Sequence, residues 1–156
     1  MKYEQIIDHY ESFKMWLEEL KLLSEVEWIK PMEEDKWSIA ANIAHIIKWD
    51  QYSLQEILPH VSEGAELPPF PDFQKFNGEA EDYAHHVVNQ GDLIKEGIRT
   101  RDLMITYVKN VPEYDFGQSF KVGDQSFTLE EFFEDFISHD KHHQEQIEEL
   151  VSAEKV

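Results

Sequence analysis

Two of the eight histidines in this chain of 156 residues lie four positions apart near its carboxyl end. His139 and His143 fall on one side of a helix, because steps of three and four residues return to the same face. Their side-chain origins are then about 5–6 Å apart, so both imidazoles can reach one metal ion. The pair taken alone is also compatible with two core histidines hydrogen-bonded to backbone or carboxylate groups.

The segment that carries this pair has an apolar face and a polar face, as expected for an amphipathic helix. Residues at inward spacing are Phe132, Phe136, His139, His143, Ile147 and Leu150. Residues on the opposite face are Glu131, Asp135, Ser138, His142, Glu145 and Glu149. We therefore interpret His142 as a solvated neighbour, and two imidazoles on one apolar stripe favour a metal site over two structural histidines.

A third ligand has to come from another helix, and two histidines are candidates. His45 lies in the apolar segment 40–47, which predicts burial. At about 100° per residue, His45 nevertheless falls away from the isoleucine stripe of that helix and near Trp49, so the helix would have to be buried on two sides. His9, among apolar residues of the first helix, is the rival, and the residues alone leave both open. Three other histidines are interpreted as surface residues: His60, His85 and His86.

Four amphipathic helices are predicted from apolar residues that recur every three or four positions. Ser38 is a good N-cap for the second helix, and Thr128 with Glu131 forms a Thr-x-x-Glu capping box before the last one. Glycines weaken the third helix, and residues 89–92 are expected to divide it into two pieces. The helices cover approximately residues 6–20, 39–59, 76–111 and 128–153.

The connections between these helices define the fold class. Residues 61–75 contain three prolines and a glycine, which predicts a long extended crossover between the second and third helices. Residues 116–127 predict a small hairpin or turn, with too little strand to build a sheet. We therefore predict an all-α fold, a four-helix bundle forming a single domain over residues 1–156, because such helices hide their apolar faces by packing on one another.

Composition excludes several classes of partner. The chain has 33 acidic and 14 basic residues, a formal net charge of −19, which would repel nucleic acid and anionic membranes. No stretch approaches the roughly 20 apolar residues of a membrane span, and the first residues lack the apolar run of a signal peptide, so we expect a cytoplasmic location. The chain has no cysteine, so any thiol chemistry requires a thiol from outside.

Three segments, in this order, resemble the DinB/YfiT-like family, a group of proposed metal-dependent enzymes. They are residues 36–45 (Lys-Trp-Ser-Ile-Ala-Ala-Asn-Ile-Ala-His), 99–110 and 136–147 (Phe-Ile-Ser-His-Asp-Lys-His-His-Gln-Glu-Gln-Ile). In that family a Trp-Ser start leads to a histidine on the second helix, and a late His-Asp-x-His-His stretch supplies two more. The resemblance implies that the metal ligands are His45, His139 and His143, and it leaves His142 outside.

The same resemblance implies an activity and partners. Family members look like four-helix bundles, often homodimers, and some use a low-molecular-weight thiol such as bacillithiol or mycothiol in transferase or isomerase reactions. Three neutral imidazoles leave coordination positions open, as in catalytic sites, and nickel or zinc suits these ligands. We expect a thiol S-transferase acting on a small molecule. The alternatives are a metal-stabilised bundle that binds without turnover and a metal-dependent hydrolase.

Three polar residues near these histidines could have further roles. Residues 139–143 imitate the His-Glu-x-x-His helix of metalloproteases, with Asp140 in place of the general-base glutamate. We disfavour this interpretation because aspartate is one methylene shorter and no substrate-aligning strand is evident. Asn42 and Gln146 lie one turn from histidines and could orient their rings, but we interpret both as polar surface residues.

Overall fold

The computed structural model describes residues 3–34 and 36–154, and within them it contains six α-helices and three short β-strands. The helices are α1 (Tyr3–Glu19), α2 (Glu25–Ile29), α3 (Ile39–Tyr52), α4 (Phe73–His86), α5 (Gln90–Asn110) and α6 (Leu129–Glu154). The strands are β1 (Glu66–Leu67), β2 (Ser119–Val122) and β3 (Gln125–Thr128). Helices α1, α3, α5 and α6 pack together, which confirms the predicted four-helix bundle, and α4 packs against α3. Among the described helices, none combines the length and apolarity required to cross a bilayer.

Side-chain caps set the helix boundaries as the sequence predicts. The Ser38 hydroxyl accepts a hydrogen bond from the Ala41 N–H at 3.0 Å, and Thr128 and Glu131 form a reciprocal capping box. Asn89 caps α5 by accepting from the Asp92 N–H at 2.8 Å, which confirms the predicted division of the third helix into α4 and α5. The second helix extends beyond α3 through a π turn and a 3₁₀ turn, which together span residues 53–60.

The crossover contributes a strand that the sequence analysis did not predict. The hairpin of β2 and β3 is antiparallel, as predicted, and it turns at Gly123 with a φ of 59°. β1 pairs with β2 in parallel, with Glu66 opposite Lys121 and Leu67 opposite Val122. The expectation of too little strand for a sheet is therefore wrong. The hairpin signal is local, whereas β1 comes from a segment more than 50 residues earlier, so the spacing of neighbouring residues could not indicate it.

Helix α3 is surrounded by other helices. All residues from 39 to 47 are buried, including His45, so the two-sided burial that the His45 prediction required is present. Helix α5 approaches α3 closely at Gly97, where an added Cβ would lie 2.7 Å from Cδ1 of Ile47. Because α4 covers the remaining side of α3, a histidine on this helix can meet other polar groups away from solvent.

A buried ion network joins three helices beside the histidines. Arg101 of α5 is 1% exposed. Its guanidinium donates to both carboxylate oxygens of Asp140 on α6, at 2.6 and 2.9 Å, and to Asp50 on α3 at 2.8 Å. It also lies 4.1 Å from the ring centroid of Phe13 on α1. Burial and the nearby Asp140 raise the pKa of Asp50 to about 7, whereas Arg101 outweighs burial and holds the pKa of Asp140 below its usual value.

Replacing Arg101 should test how much this network stabilises the bundle. The variant Arg101→Met leaves the buried carboxylate of Asp140 without its cation, which typically costs about 3–5 kcal/mol. Urea unfolding followed by circular dichroism measures this loss. The matched control is Arg99→Met, an exposed arginine on the same helix, which should change stability by less than about 0.5 kcal/mol. Equal effects of the two substitutions would contradict the assigned role of Arg101.

Candidate metal centre

Three histidine side chains from two helices converge inside the bundle. His45 on α3 places its Nε2 atom 2.9 Å from Nε2 of His139 on α6. Nε2 of His143, one turn further along α6, lies 3.0 Å from the same atom. One ring nitrogen from each residue lies within 4.8 Å of the other two. The structure thus brings together the three histidines named from the sequence.

The tautomer of His45 is fixed by its neighbours. Nδ1 of His45 lies 2.9 Å from Oδ1 of Asn77 on α4. The indole Nε1–H of Trp49 donates to the same oxygen at 2.9 Å. Because an indole N–H can only donate, the Asn77 amide must present its oxygen here, and the bonded Nδ1 of His45 must carry the hydrogen. The Nε2 lone pair of His45 therefore faces the cluster.

The same reasoning fixes His143. Nδ1 of His143 lies 2.7 Å from Oδ1 of Asn42. The Asn42 amide nitrogen donates to the Ser38 carbonyl at 2.9 Å, and a carbonyl can only accept, so the amide orientation is set and Nδ1 of His143 donates. Asn42 is only 5% exposed, so its interpretation as a surface residue is wrong, because α3 is covered on every side. Gln146 is exposed, as predicted.

The converging nitrogens are arranged to share one cation. Nε2 of His45 and Nε2 of His143 each present a lone pair, and a neutral His139 ring has one hydrogen, which cannot serve both. Two imidazoles bound to a zinc-like ion at about 2.1 Å, with an angle of about 90–110° between them, have nitrogens about 3.0–3.4 Å apart. The observed 2.9 and 3.0 Å are close to this range, so the donor set fits one divalent ion.

The electrostatics keep these rings in the form that binds metal. Burial, followed by repulsion from His139, lowers the pKa of His45 to about 4. The same two causes, in the same order, lower the pKa of His143 to about 3, and burial also lowers the pKa of His139. Neutral imidazole is the ligand form, so little proton competition is expected near pH 7.

The other residues considered from the sequence lie outside this cluster. His142 is exposed, as are His60, His85 and His86. The rival His9 contacts Asp140 at 2.9 Å, on the side of the Arg101 network. Because the oxygens of Asp140 are engaged by Arg101 and His9, the geometry gives no support to Asp140 as a metalloprotease-like general base.

Sequence reasoning missed Asn77, whose oxygen orients His45. Its one signal is an asparagine inside a helix, where this residue type is unfavourable unless its side chain has a specific partner. It lies on α4, and no periodicity in the sequence places that helix against α3.

A cavity of about 400 Å³ adjoins the centre. His45 and His139 form part of its wall, and five aromatic side chains form most of the rest. Its polar wall residues besides the histidines are Asn77, Gln125 and Asp135. A small molecule in this cavity would lie beside two of the three converging histidines.

The fold and the histidine cluster together define a helical bundle with a candidate metal centre between its helices. The sequence matches the DinB superfamily over residues 9–147, and the chain belongs to that superfamily. YfiT from Bacillus subtilis, described as a probable metal-dependent hydrolase with an unusual four-helix bundle topology, has a similar structure. The TM-score is 0.81 at 16% identity, covering 98% of this chain and 87% of the YfiT chain. That likeness supports the fold. A search of curated proteins finds no significant match.

We expect protein purified without a histidine tag to bind one divalent metal ion per chain. His139→Ala removes the nitrogen that lies between the other two, so binding should weaken at least about 100-fold and the metal-induced rise in melting temperature should disappear. Calorimetric titration and thermal melting measure both effects. His142→Ala, an exposed neighbour on the same helix, should behave as wild type. Equal binding by both variants would rule out the cluster as the binding site.

Asn42 should control affinity without touching the ion. Asn42→Ala frees the His143 ring to rotate, and loss of such an outer partner typically weakens metal binding about 10–100-fold. The measurement is competition with a chelating dye at constant pH. Gln146→Ala serves as the control, because Gln146 is exposed. Unchanged affinity in a folded Asn42→Ala protein would contradict the orienting role.

Proposed function

We propose that the chain is a metal-dependent thiol S-transferase in which His45, His139 and His143 hold one nickel or zinc ion. The observation that carries this proposal is the convergence of three histidine Nε2 atoms, two of them with lone pairs fixed by their neighbours, beside an open, mostly apolar cavity. Three protein ligands leave coordination positions for other molecules, as in catalytic sites. The lack of cysteine and the resemblance to thiol-using members of the family favour an external thiol as nucleophile.

A divalent ion in this site would lower the pKa of a thiol so that the thiolate forms near neutral pH. The protein holds the histidine rings through Asn42 and Asn77, and its aromatic walls exclude water from the electrophile. The thiolate sulfur attacks an electrophilic carbon, a carbon–sulfur bond forms, and the leaving group departs with the electron pair of the broken bond. The thiol proton passes to solvent.

Hydrolysis is the second candidate, and two observations favour it. YfiT, which shares the fold, is described as a probable metal-dependent hydrolase. In this chain Asp135 lies one turn before His139 and also forms part of the cavity wall, so its carboxylate could accept a proton from an attacking water. A metal-stabilised bundle that binds a small molecule without turnover is the remaining alternative.

The proposal also includes a cytoplasmic location and a homodimeric assembly. A cytoplasmic enzyme would have a low-molecular-weight thiol at hand, and a homodimer is the assembly that the family resemblance implies. Light scattering on purified protein would test the dimer.

The activity is tested with metal-loaded protein, bacillithiol and the chromogenic electrophile 1-chloro-2,4-dinitrobenzene. Wild type should accelerate thioether formation above the rate with metal and thiol alone, and His139→Ala should reduce the rate to that background. His142→Ala should retain the wild-type rate. A wild-type rate equal to that of His139→Ala would contradict the transferase proposal.

A parallel assay separates the alternatives. Release of nitrophenol from 4-nitrophenyl acetate without thiol, lost in Asp135→Asn, would support the hydrolase. Metal binding and thermal stabilisation without either reaction would support the binding bundle.

A further inference from the structure

The cavity beside the metal centre is built from the elements that carry the histidines and from the crossover that covers them. Trp49 lies one turn after His45 on α3, and Phe136 lies one turn before His139 on α6. The other three aromatic wall residues are Phe70 of the crossover, Phe73 at the start of α4 and Phe127 of β3. The apolar wall is therefore continuous with the candidate metal ligands.

These rings contact one another, so the wall is a packed surface. The ring centroid of Trp49 lies 5.5 Å from that of Phe73 and 6.0 Å from that of Phe70, both in edge-to-face geometry. Phe70 in turn contacts Phe127, with centroids 6.5 Å apart. Edge-to-face rings at such distances leave aromatic faces and edges for a further ring to pack against.

The charge of the wall limits what can bind. Among the described residues that line the cavity, none is lysine or arginine, and the one carboxylate is Asp135. The formal net charge of the chain is −19, so an anionic group meets repulsion at long range and, in the part of the cavity away from the metal ion, from Asp135. The amides of Asn77 and Gln125 offer neutral hydrogen bonds.

We propose that this cavity binds the substrate through an uncharged or cationic aromatic body and places its reacting group beside His45 and His139. Carboxylates and phosphates on that body are disfavoured. The inference rests on the proposed metal centre, and it holds whether the nucleophile is a thiol or water, since it concerns the electrophile. An acidic thiol such as bacillithiol would then approach from outside this cavity.

The probes are small hydroxamic acids, which chelate a divalent ion and differ only in the group they extend into the cavity. Zinc-loaded wild-type protein is titrated calorimetrically with acetohydroxamic and benzohydroxamic acids. Burial of a phenyl ring should make benzohydroxamic acid at least about tenfold tighter. A second pair carries either a 4-carboxylate or a 4-aminomethyl group, and the aminomethyl compound should bind at least about threefold tighter.

Two variants and one control locate these preferences. Phe73 is 55% exposed at the cavity rim, so Phe73→Ala should fold normally and reduce the phenyl advantage about threefold or more. Tyr114→Ala, at an aromatic residue that is 80% exposed outside the cavity, is the control and should leave the advantage unchanged. Asp135→Asn should reduce the preference for the cationic probe.

The outcomes separate this inference from the proposed function. If zinc does not bind wild-type protein, the proposed metal centre is wrong. If zinc binds and both hydroxamic acids have the same affinity, the metal centre stands and the aromatic subsite is wrong. A phenyl advantage that survives equally in Phe73→Ala and Tyr114→Ala would also overturn the placement of the aromatic body in this cavity.

Discussion

Two side-chain amides determine the state of the candidate metal centre. The orientation of each amide is fixed by a hydrogen bond to a group that can only donate or only accept. The amide oxygen then accepts the Nδ1 hydrogen of one histidine. Asn77 on α4 holds His45 on α3, whereas Asn42 on α3 holds His143 on α6. The two hydrogen bonds therefore link three helices and direct two Nε2 lone pairs toward His139. Without this arrangement the rings could exchange tautomers, and the converging nitrogens could satisfy one another without an ion.

A cation-binding site also requires that nearby positive charge be neutralised. Helix α6 separates the two environments, because Asp140 follows His139 and points to a different side of the helix. On that side two side chains engage the carboxylates: Arg101 donates hydrogen bonds to both Asp140 and Asp50, and His9 contacts Asp140. The guanidinium is thus paired with acidic groups, and its charge acts on the histidines only weakly. The network also ties α6 to α5 and α3, which sets the position of His139 relative to His45.

The histidines could be predicted from the sequence because their signal is local. A spacing of four residues and the polarity of the opposite face were sufficient to pair His139 with His143 and to leave out His142. The face of His45 was ambiguous, since a helix buried on two sides has no single apolar stripe, and the family resemblance decided between it and His9. Asn42 was considered as a ring-orienting residue but interpreted as surface, because the sequence does not show that α3 is covered on every side, and Asn77 was missed because its role depends on how α4 packs against α3. β1 was missed for the same reason, since its partner strand is distant in sequence.

The crossover and the hairpin are the least regular segments of the chain, yet they are closely related to the proposed chemistry. A bundle of four helices can place three histidines together, but the cavity beside them also needs walls from the crossover and the hairpin. These two segments approach closely at Gly123, where an added Cβ would lie 3.1 Å from Cα of Pro69. Pro69 precedes Phe70, and Gln125 and Phe127 follow the turn, so this contact places wall residues from both segments around one space. The parallel pairing of β1 with β2 holds the crossover in that position. The small sheet places Phe120 and Val122 in the core, and it also supports the cavity beside the candidate metal centre.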